Sequence, residues 1–461
     1  MRGAWLLSCA VALAGCANLA PDYARPDAPV APVWPVGVPV QGAPAADVGW
    51  SEFYGDAALR ELIAQALANN RDLRSTALAI ESARAQYRIV GAAQFPAAGG
   101  SVASVAQRSF GVTSHQYSVE LGVSAFELDF FGRVRNLREQ ALENFLATEE
   151  SLRSARISLV ASVAVAYATL LADQQRLRLA EDTLVSQRKS FELTQRTFEI
   201  GTASALDVAQ AQATLDTARA DIATYRTQVT QDLNALELLV GRPLDRPRET
   251  AESAGADDGA LFALNAAIGT PSEVPSALLQ RRPDVLAAER SLRAANANNG
   301  AARAGRFPSI SLTTSIGSAS TQLSRLLGGG TGAWSFAPAL SLPIFDAGSG
   351  AANVRAAEVG RDAALVAYEK SIQTAFREVA DALAQRRDIE QLLAARQSLL
   401  AAYEKSYRLS EARYRRGVDS SLAALDAQRS YYSAQQNLIS ARLLATINLV
   451  TLYSVLGGGW R

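Results

Sequence analysis

The chain has 461 residues, enough for two or three domains or for one elongated repeat fold. Lys plus Arg and Asp plus Glu each number 45, which excludes a basic field for nucleic acid and an acidic tail, so no nucleic-acid partner is expected. Apolar residues make up 49% of the chain, many of them Ala, which favours long helices in close contact over a thick globular core.

The N-terminus predicts export and lipidation. Residues 1–15 read as a secretory signal peptide, with one Arg followed by an apolar run that is too short to be a spanning helix. The run ends in LAGC, which resembles a bacterial lipobox, so Cys16 is the expected lipid anchor. A chance Cys is the alternative, but no Cys follows Cys16. A lipidated, Pro-rich tether is predicted over 16–50.

The rest of the chain is an internal sequence duplication. FEIGTASALDVAQAQ (198–212) and YRRGVDSSLAALDAQ (414–428) align at an offset of 216 (414 minus 198). QFPAAGGSV (94–102) aligns with RFPSISLTT (306–314) at an offset of 212 (306 minus 94). Each copy predicts a helix, Phe-Pro, strands, a long helix, a Gly turn and a second long helix. The predicted boundaries are a first repeat at 51–241, a linker at 242–275, a second repeat at 276–457 and a tail at 458–461.

Alternation with a period of two marks strands with one apolar face. The predicted apolar faces are Tyr117, Val119, Leu121, Val123 and Ala125; Ile310, Leu312 and Ile316; and Trp334, Phe336, Leu340, Leu342 and Ile344. Their lengths fit the roughly 9–11 residues of a tilted transmembrane strand. A small soluble sheet is the alternative, but we favour the membrane because the chain carries an export signal and its mature part is expected to lack an apolar run long enough for a spanning helix.

Apolar residues recur every seven positions on both sides of each Gly turn, which predicts antiparallel coiled-coil hairpins. The first long helix is expected between Gly132 and Ile200, about 65–70 residues or on the order of 100 Å. Asp232 and Asn448 interrupt the apolar heptad positions, here called the seam, at equivalent places in the two copies. A polar residue there either fixes the register of the paired helices or faces a water-filled lumen, and we favour the lumen. Four strands cannot close a membrane barrel, so several copies must pool their strands.

In this order, PDYARP (21–26), DFFGR (129–133), LPIFDAG (342–348), the two Gly turns and the ending VLGGGW resemble the TolC-like outer-membrane efflux proteins, within them the lipid-anchored OprM and NodT branch. The resemblance implies a mainly α fold with a β membrane portion. It implies a homotrimer with a shared twelve-stranded barrel in the outer membrane and a barrel of α-hairpins in the periplasm. The implied partners are a periplasmic adaptor and an inner-membrane pump of the RND class, and the implied cargo is drugs or other small molecules.

The resemblance also implies functional residues. A periplasmic gate would consist of Leu422, Asp426 and Arg429, although Asp426 and Arg429 alone also fit a plain i, i+3 surface pair. Asp207 would tie neighbouring hairpins together with Tyr414 as its partner. The alternative for Asp207 is a first-turn acid favoured by the helix dipole.

The two Gly turns would be the adaptor-docking tips, although Gly at a helix end also simply permits a positive φ. The expected docking residues are Gly201, Thr202, Gly417, Val418 and Asp419. Asp419 stands where some relatives carry Arg, so a tip salt bridge like theirs is not expected.

No enzyme motif is evident, and neither a metal nor a cofactor beyond the lipid is expected. The single His115 falls in a predicted external loop, and no phosphate-binding or nucleophile motif occurs. Two further functions fit parts of the pattern. A protein-secretion duct of the type I kind would have a similar build, whereas a purely structural coiled-coil lipoprotein is disfavoured by the paired strands.

Overall fold

A computed structural model of the chain describes residues 18–32, 34, 45–244 and 281–460. The predicted signal peptide, Cys16 and most of the predicted linker lie outside the described residues. The chain is mostly helical (69%) with four antiparallel strands, so the predicted mainly α fold with a β portion is confirmed.

The elements follow the predicted order. The helices are α1 (Trp50–Phe53), α2 (Ala57–Asn69), α3 (Arg71–Ala92), α4 (Arg133–Glu199), α5 (Ala205–Val240), α6 (Pro283–Ala304), α7 (Ser349–Arg415) and α8 (Ser421–Val455). The strands are β1 (Ala98–Ser109), β2 (Val112–Leu128), β3 (Ser309–Ser320) and β4 (Gly332–Ser341). Short 3₁₀ turns lie at Ala45–Asp47 and Leu323–Arg325.

The two halves of the chain repeat each other in length as well as in sequence. Helices α3 and α6 each have 22 residues, and α4 and α7 each have 67. The Gly that precedes each long helix has a positive φ, 76° at Gly132 and 88° at Gly348. The same backbone conformation therefore starts the long helix in both copies, and the predicted first long helix is confirmed.

The four strands form one antiparallel sheet in the order β1-β2-β3-β4. Leu121 of β2 lies opposite Ile316 of β3, and Ile316 lies opposite Trp334 of β4. These three side chains are exposed, so the apolar face of the sheet is uncovered in the single chain. Strands β1 and β4 are the two edges, and an open edge cannot face lipid.

A bulge in β2 corrects one prediction about the apolar face. The pairing with β3 shifts between Val123 and Phe126, and Ala125 has a φ of 50°. Its backbone N–H donates to the Thr313 hydroxyl at 3.1 Å, outside the regular ladder. Phe126 and Leu128 therefore lie on the same face of the sheet as Val123. Ala125, which was predicted to lie on that face, does not.

Strand β4 is shorter than predicted. It ends at Ser341, so Leu342 and Ile344 are not part of the ladder. Pro343 lies between these two residues, and a proline cannot donate the backbone hydrogen bond that a continuing strand needs. The remaining residues of LPIFDAG form the link to α7.

The described residues divide into two compact units, and each combines parts of both repeats. The sheet unit contains residues 18–29, 76–151 and 284–372. The hairpin unit contains residues 30–32, 34, 45–75, 152–244, 281–283 and 373–460.

In the hairpin unit the long helices fold back as predicted. The Thr214 hydroxyl of α5 donates to the Gln187 side chain of α4 at 3.1 Å, and Tyr407 of α7 stacks on Tyr431 of α8 with ring centroids 5.8 Å apart. Three further bonds join α8 to the first hairpin: Gln428 to Ser186 (3.1 Å), Tyr432 to Asp221 (3.0 Å) and Arg176 to Ser440 (2.8 Å). The two coiled coils therefore pack as one bundle.

An aromatic cluster closes the far end of this bundle. Tyr453 of α8 stacks on Phe53 with centroids 4.0 Å apart and donates to the Val48 carbonyl at 2.7 Å. A Cβ on Gly458 would lie 2.2 Å from the Tyr453 ring, so the Gly run of the C-terminal motif is required by packing.

Helices α4 and α8 each contain an 18-residue window that is long and apolar enough to cross a membrane by composition. The expected absence of such a run is therefore not confirmed. Val160, Val163 and Ala164 of α4 are nevertheless buried within the chain. Core helices of soluble proteins meet the same composition criterion, so two such windows are weak evidence for a membrane span.

Candidate functional site: the hairpin tips, the seams and the N-terminal segment

The first tip is closed by backbone and capping bonds. Gly201 has a φ of 80°, and the Thr202 N–H donates to the Thr197 carbonyl at 2.8 Å, the arrangement that ends a helix at glycine. Helix α5 then starts with a capping box, in which the Asp207 N–H donates to the Ser204 hydroxyl and the Ser204 N–H donates to the Asp207 carboxylate. The predicted role of Asp207 as a first-turn acid is thus one of its actual roles.

The second tip carries a salt bridge across its turn. Gly417 has a φ of 72°, and Arg413 holds the Asp419 carboxylate through two bonds of 2.5 and 2.8 Å. The hydrogen bond from Arg413 also lowers the pKa of Asp419. This local pair differs from a salt bridge made by an Arg at position 419, because here the acid is at 419 and the arginine is at 413. The carboxylate of the first tip, Asp207, is instead held by the hydroxyl groups of Ser204 and Ser421, so the two tips differ in chemistry.

Asp207 also links the two hairpins. Its second carboxylate oxygen accepts a short hydrogen bond from the Ser421 hydroxyl at the start of α8. This bond, followed by those from Ser204, lowers the pKa of Asp207. Within the chain, the partner of Asp207 on the second hairpin is Ser421, and the predicted link to Tyr414 stays a prediction.

Tyr414 instead lines a cavity of about 160 Å³ between α4, α7 and α8. Ser421 and Gln428 line the same cavity, together with Lys189 from α4. The cavity lies directly beside the bond between Asp207 and Ser421, so a change at that bond would alter the packing of Tyr414.

The predicted gate residues lie on the free face of α8. Leu422 is 43% exposed, and Asp426 and Arg429 are exposed as well. Arg429 donates to Asp426 at 3.2 Å, so the plain i, i+3 pair is formed in the single chain. The opposite face of the same turns is buried: Ser421, Ala424, Leu425 and Gln428. The pore-facing role concerns three chains and stays a prediction.

Asn448 corrects the prediction that it faces a lumen. Its side chain is 0% exposed within the single chain. It donates to the Ala382 carbonyl at 2.9 Å and to the Gln385 side chain at 3.0 Å, both on α7. A buried amide with defined partners fixes the alignment of two helices, so the register alternative is the correct one.

Asp232, the counterpart of Asn448, lies beside a second carboxyl. Burial and then the charge of Asp173 on α4 raise the pKa of Asp232 to about 6. Asp173 is itself buried and is paired with Arg176 at 2.5 Å. The first hairpin thus contains two carboxyl groups beside one guanidinium, an arrangement that makes Asp232 lose its proton at a higher pH than an isolated carboxyl group.

A buried ion cluster that no sequence motif predicted holds the N-terminal segment in the sheet unit. Glu289 of α6 is 3% exposed and accepts bonds from Arg25 (2.6 and 3.1 Å) and from Arg293 (2.8 Å). Arg293 also lies over the Tyr23 ring, 4.7 Å from its centroid. Burial works against ionisation of Glu289, but the two arginines outweigh it and lower its pKa.

The residues next to this cluster fit the segment closely. Asn296 donates to the Pro21 carbonyl at 2.7 Å, and Asn136 of α4 donates to Asn18 at 2.8 Å. A Cβ on Gly300 would lie 2.6 Å from Ala20, so only glycine leaves room for the segment. PDYARP was visible as a motif, but its partners on α6 lie in the second half of the chain and no local pattern indicates them.

Comparison with known proteins agrees with this arrangement. The family model described as "Outer membrane efflux protein" matches residues 62–242 and 274–458. The toluene efflux pump outer membrane protein TtgC of Pseudomonas putida is 48% identical over 472 residues, covering 99% of this chain and 96% of that protein. The outer membrane protein OprJ of Pseudomonas aeruginosa is 44% identical over 455 residues, covering 97% and 94%.

Solved structures agree over nearly the whole chain. The open state of the Neisseria gonorrhoeae MtrE outer membrane channel superposes with a TM-score of 0.88 at 37% identity, covering 96% of this chain and 99% of that chain. A structure of CusC gives a TM-score of 0.86 at 37% identity, covering 96% and 100%.

Proposed function

Because the chain belongs to the outer membrane efflux protein family, whose members are outer-membrane channels of tripartite efflux systems, we propose that it is an outlet for organic solvents and hydrophobic antibiotics. Members of the family form trimers, extend into the periplasm, and work with an adaptor and an inner-membrane pump. They are transport channels rather than enzymes and need no cofactor.

The observation that carries the proposed cargo is full-length similarity to proteins named for that cargo. The relatives at 44–48% identity include proteins named as toluene, solvent and antibiotic efflux components. They favour small-molecule efflux over the protein-secretion duct. We further assign the unidentified partners to a periplasmic adaptor and a pump of the RND class.

The architecture explains passive conduction. Each chain supplies four strands with two open edges, and three chains supply the twelve strands of a closed barrel. The polar face of each strand then lines the water-filled interior, while the face of Leu121 and Ile316 contacts lipid. No energy source is needed in the channel itself because the pump drives the cargo.

The proposed gate is formed by Leu422, Asp426 and Arg429 of three chains. The support is their position on the face of α8 that the packing of the chain leaves uncovered. In a three-fold assembly this face brings three carboxylates together, and like charges at close range repel each other. The bond between Asp207 and Ser421 holds the two hairpins together beside this face and should favour the closed state.

Single-channel conductance in planar bilayers tests the gate. We expect Asp426→Ala to lower the mean conductance, because it removes the repulsion between the three carboxylates that opposes closure of the gate. Asp216→Ala is the matched control, since Asp216 also forms an exposed i, i+3 pair, with Arg219 at 2.9 Å on α5. Equal conductance for the wild type and both variants would contradict the gate assignment. A purified trimer without any conductance would contradict the channel itself.

The proposed docking surface for the adaptor consists of Gly201, Thr202, Gly417, Val418 and Asp419. Both tips are exposed, and the second carries the Arg413–Asp419 pair together with Arg415 and Arg416. We expect Val418→Asp to abolish solvent and antibiotic tolerance in cells while the trimer and its conductance persist. Retained tolerance at wild-type level would exclude this tip from docking.

Cys16 is the proposed lipid anchor, and the docked N-terminal segment supports it. Asn18 is bonded to Asn136 in the first turns of α4, which begins shortly after β2 ends. Cys16 is two positions before Asn18 in the sequence, so an anchor at Cys16 is consistent with the docked segment. A lipid there would enter the periplasmic leaflet beside the barrel. Lipid labelling that persists in Cys16→Ser would refute the anchor.

A further inference from the structure

The cavity between α4, α7 and α8 has the size of a single aromatic ring. Its volume is about 160 Å³, and all three helices contribute to its wall. An engineered apolar cavity of about 150 Å³ in another protein binds benzene, whereas drug-sized ligands occupy pockets of roughly 300–1,000 Å³. The space therefore admits a molecule that consists of one ring with a small substituent.

Apolar side chains and aromatic rings form one part of the wall. Leu193 of α4 and Leu425 of α8 line the cavity, together with Tyr407 and Tyr414 of α7. Leu425 is buried, and the Tyr407 ring is held by its stack on the Tyr431 ring. A flat apolar ligand thus meets an aromatic side chain of fixed orientation and a leucine that solvent does not reach.

Several polar groups of the wall are already bonded within the chain. Gln428 donates to the Ser186 hydroxyl at 3.1 Å, and the Thr194 hydroxyl donates to the Ser190 carbonyl at 2.9 Å. Thr194 and Gln428 are both buried. Because these hydrogen bonds are made inside the protein, an apolar occupant of the cavity does not leave the groups without partners.

Two donors at the cavity have no hydrogen-bond partner among the residues that the structure describes. They are the Lys189 ammonium and the Tyr414 hydroxyl. Arg415 and Glu411 also line the cavity, but they pair with each other at 2.7 Å, so the uncompensated charge of the wall is the positive charge of Lys189. An ammonium group has three donors and no acceptor, and the acceptor that it binds most strongly is an anion such as a carboxylate.

We propose that this cavity binds a small aromatic carboxylate, whose ring packs on Leu425 and whose anionic group binds Lys189 and Tyr414. Volume, apolar wall and free donors each limit the ligand in a different way. A ring without an acceptor leaves the ammonium group unused, and an anion without a ring leaves the apolar wall uncovered. Lys189 is exposed on its outer side, so an anion reaches it from solvent.

The bound anion connects the two hairpins. Lys189 belongs to the first hairpin and Tyr414 to the second, and the bond between Ser421 and Asp207 makes the same connection at the edge of the cavity. The ligand therefore favours the same closed state as that bond and lowers the open probability. This consequence rests on the proposed channel function, whereas the binding itself does not.

The internal duplication supplies a matched control for Lys189. Lys405 on α7 occupies the equivalent position in the second copy (189 plus 216). It is exposed like Lys189 and forms no ion pair with a described residue, but it does not line the cavity. Lys189→Gln and Lys405→Gln thus remove the same charge from equivalent helix positions, and only the first change alters the cavity.

Fluorine NMR of 4-fluorobenzoate with the full-length, detergent-solubilised protein measures the binding. We expect a Kd of about 1 mM for the wild type and for Lys405→Gln, and a Kd about tenfold higher for Lys189→Gln. The uncharged 4-fluorobenzyl alcohol should bind to the wild type about tenfold more weakly than 4-fluorobenzoate. Equal Kd values for the two lysine variants, or for the two ligands, would overturn the proposal.

Ala424→Leu adds a steric test. Ala424 lines the cavity and is buried, so a leucine at this position fills part of the volume and should raise the Kd for 4-fluorobenzoate more than tenfold. Unchanged binding to an assembled Ala424→Leu protein would place the ligand elsewhere and overturn the site. If this variant does not assemble, the two lysine variants decide the question.

Planar bilayers test the connection to the channel. Benzoate should lower the open probability of the wild type and of Lys405→Gln, and it should affect Lys189→Gln about tenfold less at the same concentration. Binding without any effect on the open probability would refute the connection between the hairpins. Binding to a protein that does not conduct at all would contradict the proposed channel function and support the site.

Discussion

Replacing Asp232 by Asn is expected to stabilise the protein at neutral pH. The wild-type residue places a second carboxyl beside the buried pair of Asp173 and Arg176. At pH 7.5 the single guanidinium of Arg176 then lies beside two negatively charged carboxylates in a partly buried seam. The amide has a similar shape and can keep a hydrogen bond to Asp173 without the charge.

The magnitude follows from the pKa of Asp232. Raising that pKa from 3.8 to about 6 corresponds to about 3 kcal/mol for a fully buried group. Asp232 is partly exposed, and solvent screening reduces the effect on the free energy of unfolding to about 1 kcal/mol. The pKa of Asp232 in the folded state lies above its value in the unfolded state. The contribution of Asp232 to stability is therefore fully present below about pH 4 and is lost as the pH rises through about 6.

The apparent melting temperature of the detergent-solubilised protein, measured from pH 4 to pH 8, tests this reasoning. Asp232→Asn should melt about 2 °C above the wild type at pH 7.5, and the difference should vanish near pH 4. Asp216→Asn is the control on the same helix, because bonds from Gln212 and then Arg219 lower the pKa of the exposed Asp216. A variant that melts at or below the wild type at pH 7.5, or a difference independent of pH, would refute the argument.

Three further outcomes follow from single contacts. Asn448→Ala should lower the free energy of unfolding by about 1–3 kcal/mol, read as a lower melting temperature, because the buried Ala382 carbonyl and Gln385 lose their donor. Glu289→Gln leaves Arg25 facing a neutral amide and loosens the segment, so chymotrypsin should cut after Tyr23 about tenfold faster, whereas unchanged cleavage would exclude a clamping role. Ser421→Ala removes the bond to Asp207 and should raise the open probability in bilayers; an unaltered channel would show that this bond does not hold the closed state.

Periodicity and duplication predicted most of the fold from the sequence. The Gly turns, the two 67-residue helices and the four strands follow from local patterns, because helix ends and strand faces depend on neighbouring residues. The bulge at Ala125 and the end of β4 at Ser341 depend on pairing with other strands. The Glu289 cluster and the Ser421 partner of Asp207 depend on contacts between the two halves of the chain, which no local pattern encodes.

The divergence between the two copies explains why the lumen prediction is wrong for Asn448. Asp232 and Asn448 occupy equivalent positions, but their neighbours differ: Asp173 in the first hairpin corresponds to Ile389 in the second (173 plus 216), which is buried. A polar residue at a heptad seam therefore joins a titratable pair in one copy and a neutral register bond in the other. The response of hairpin stability to pH between 4 and 7 should accordingly arise in the first hairpin, although both hairpins have the same backbone plan.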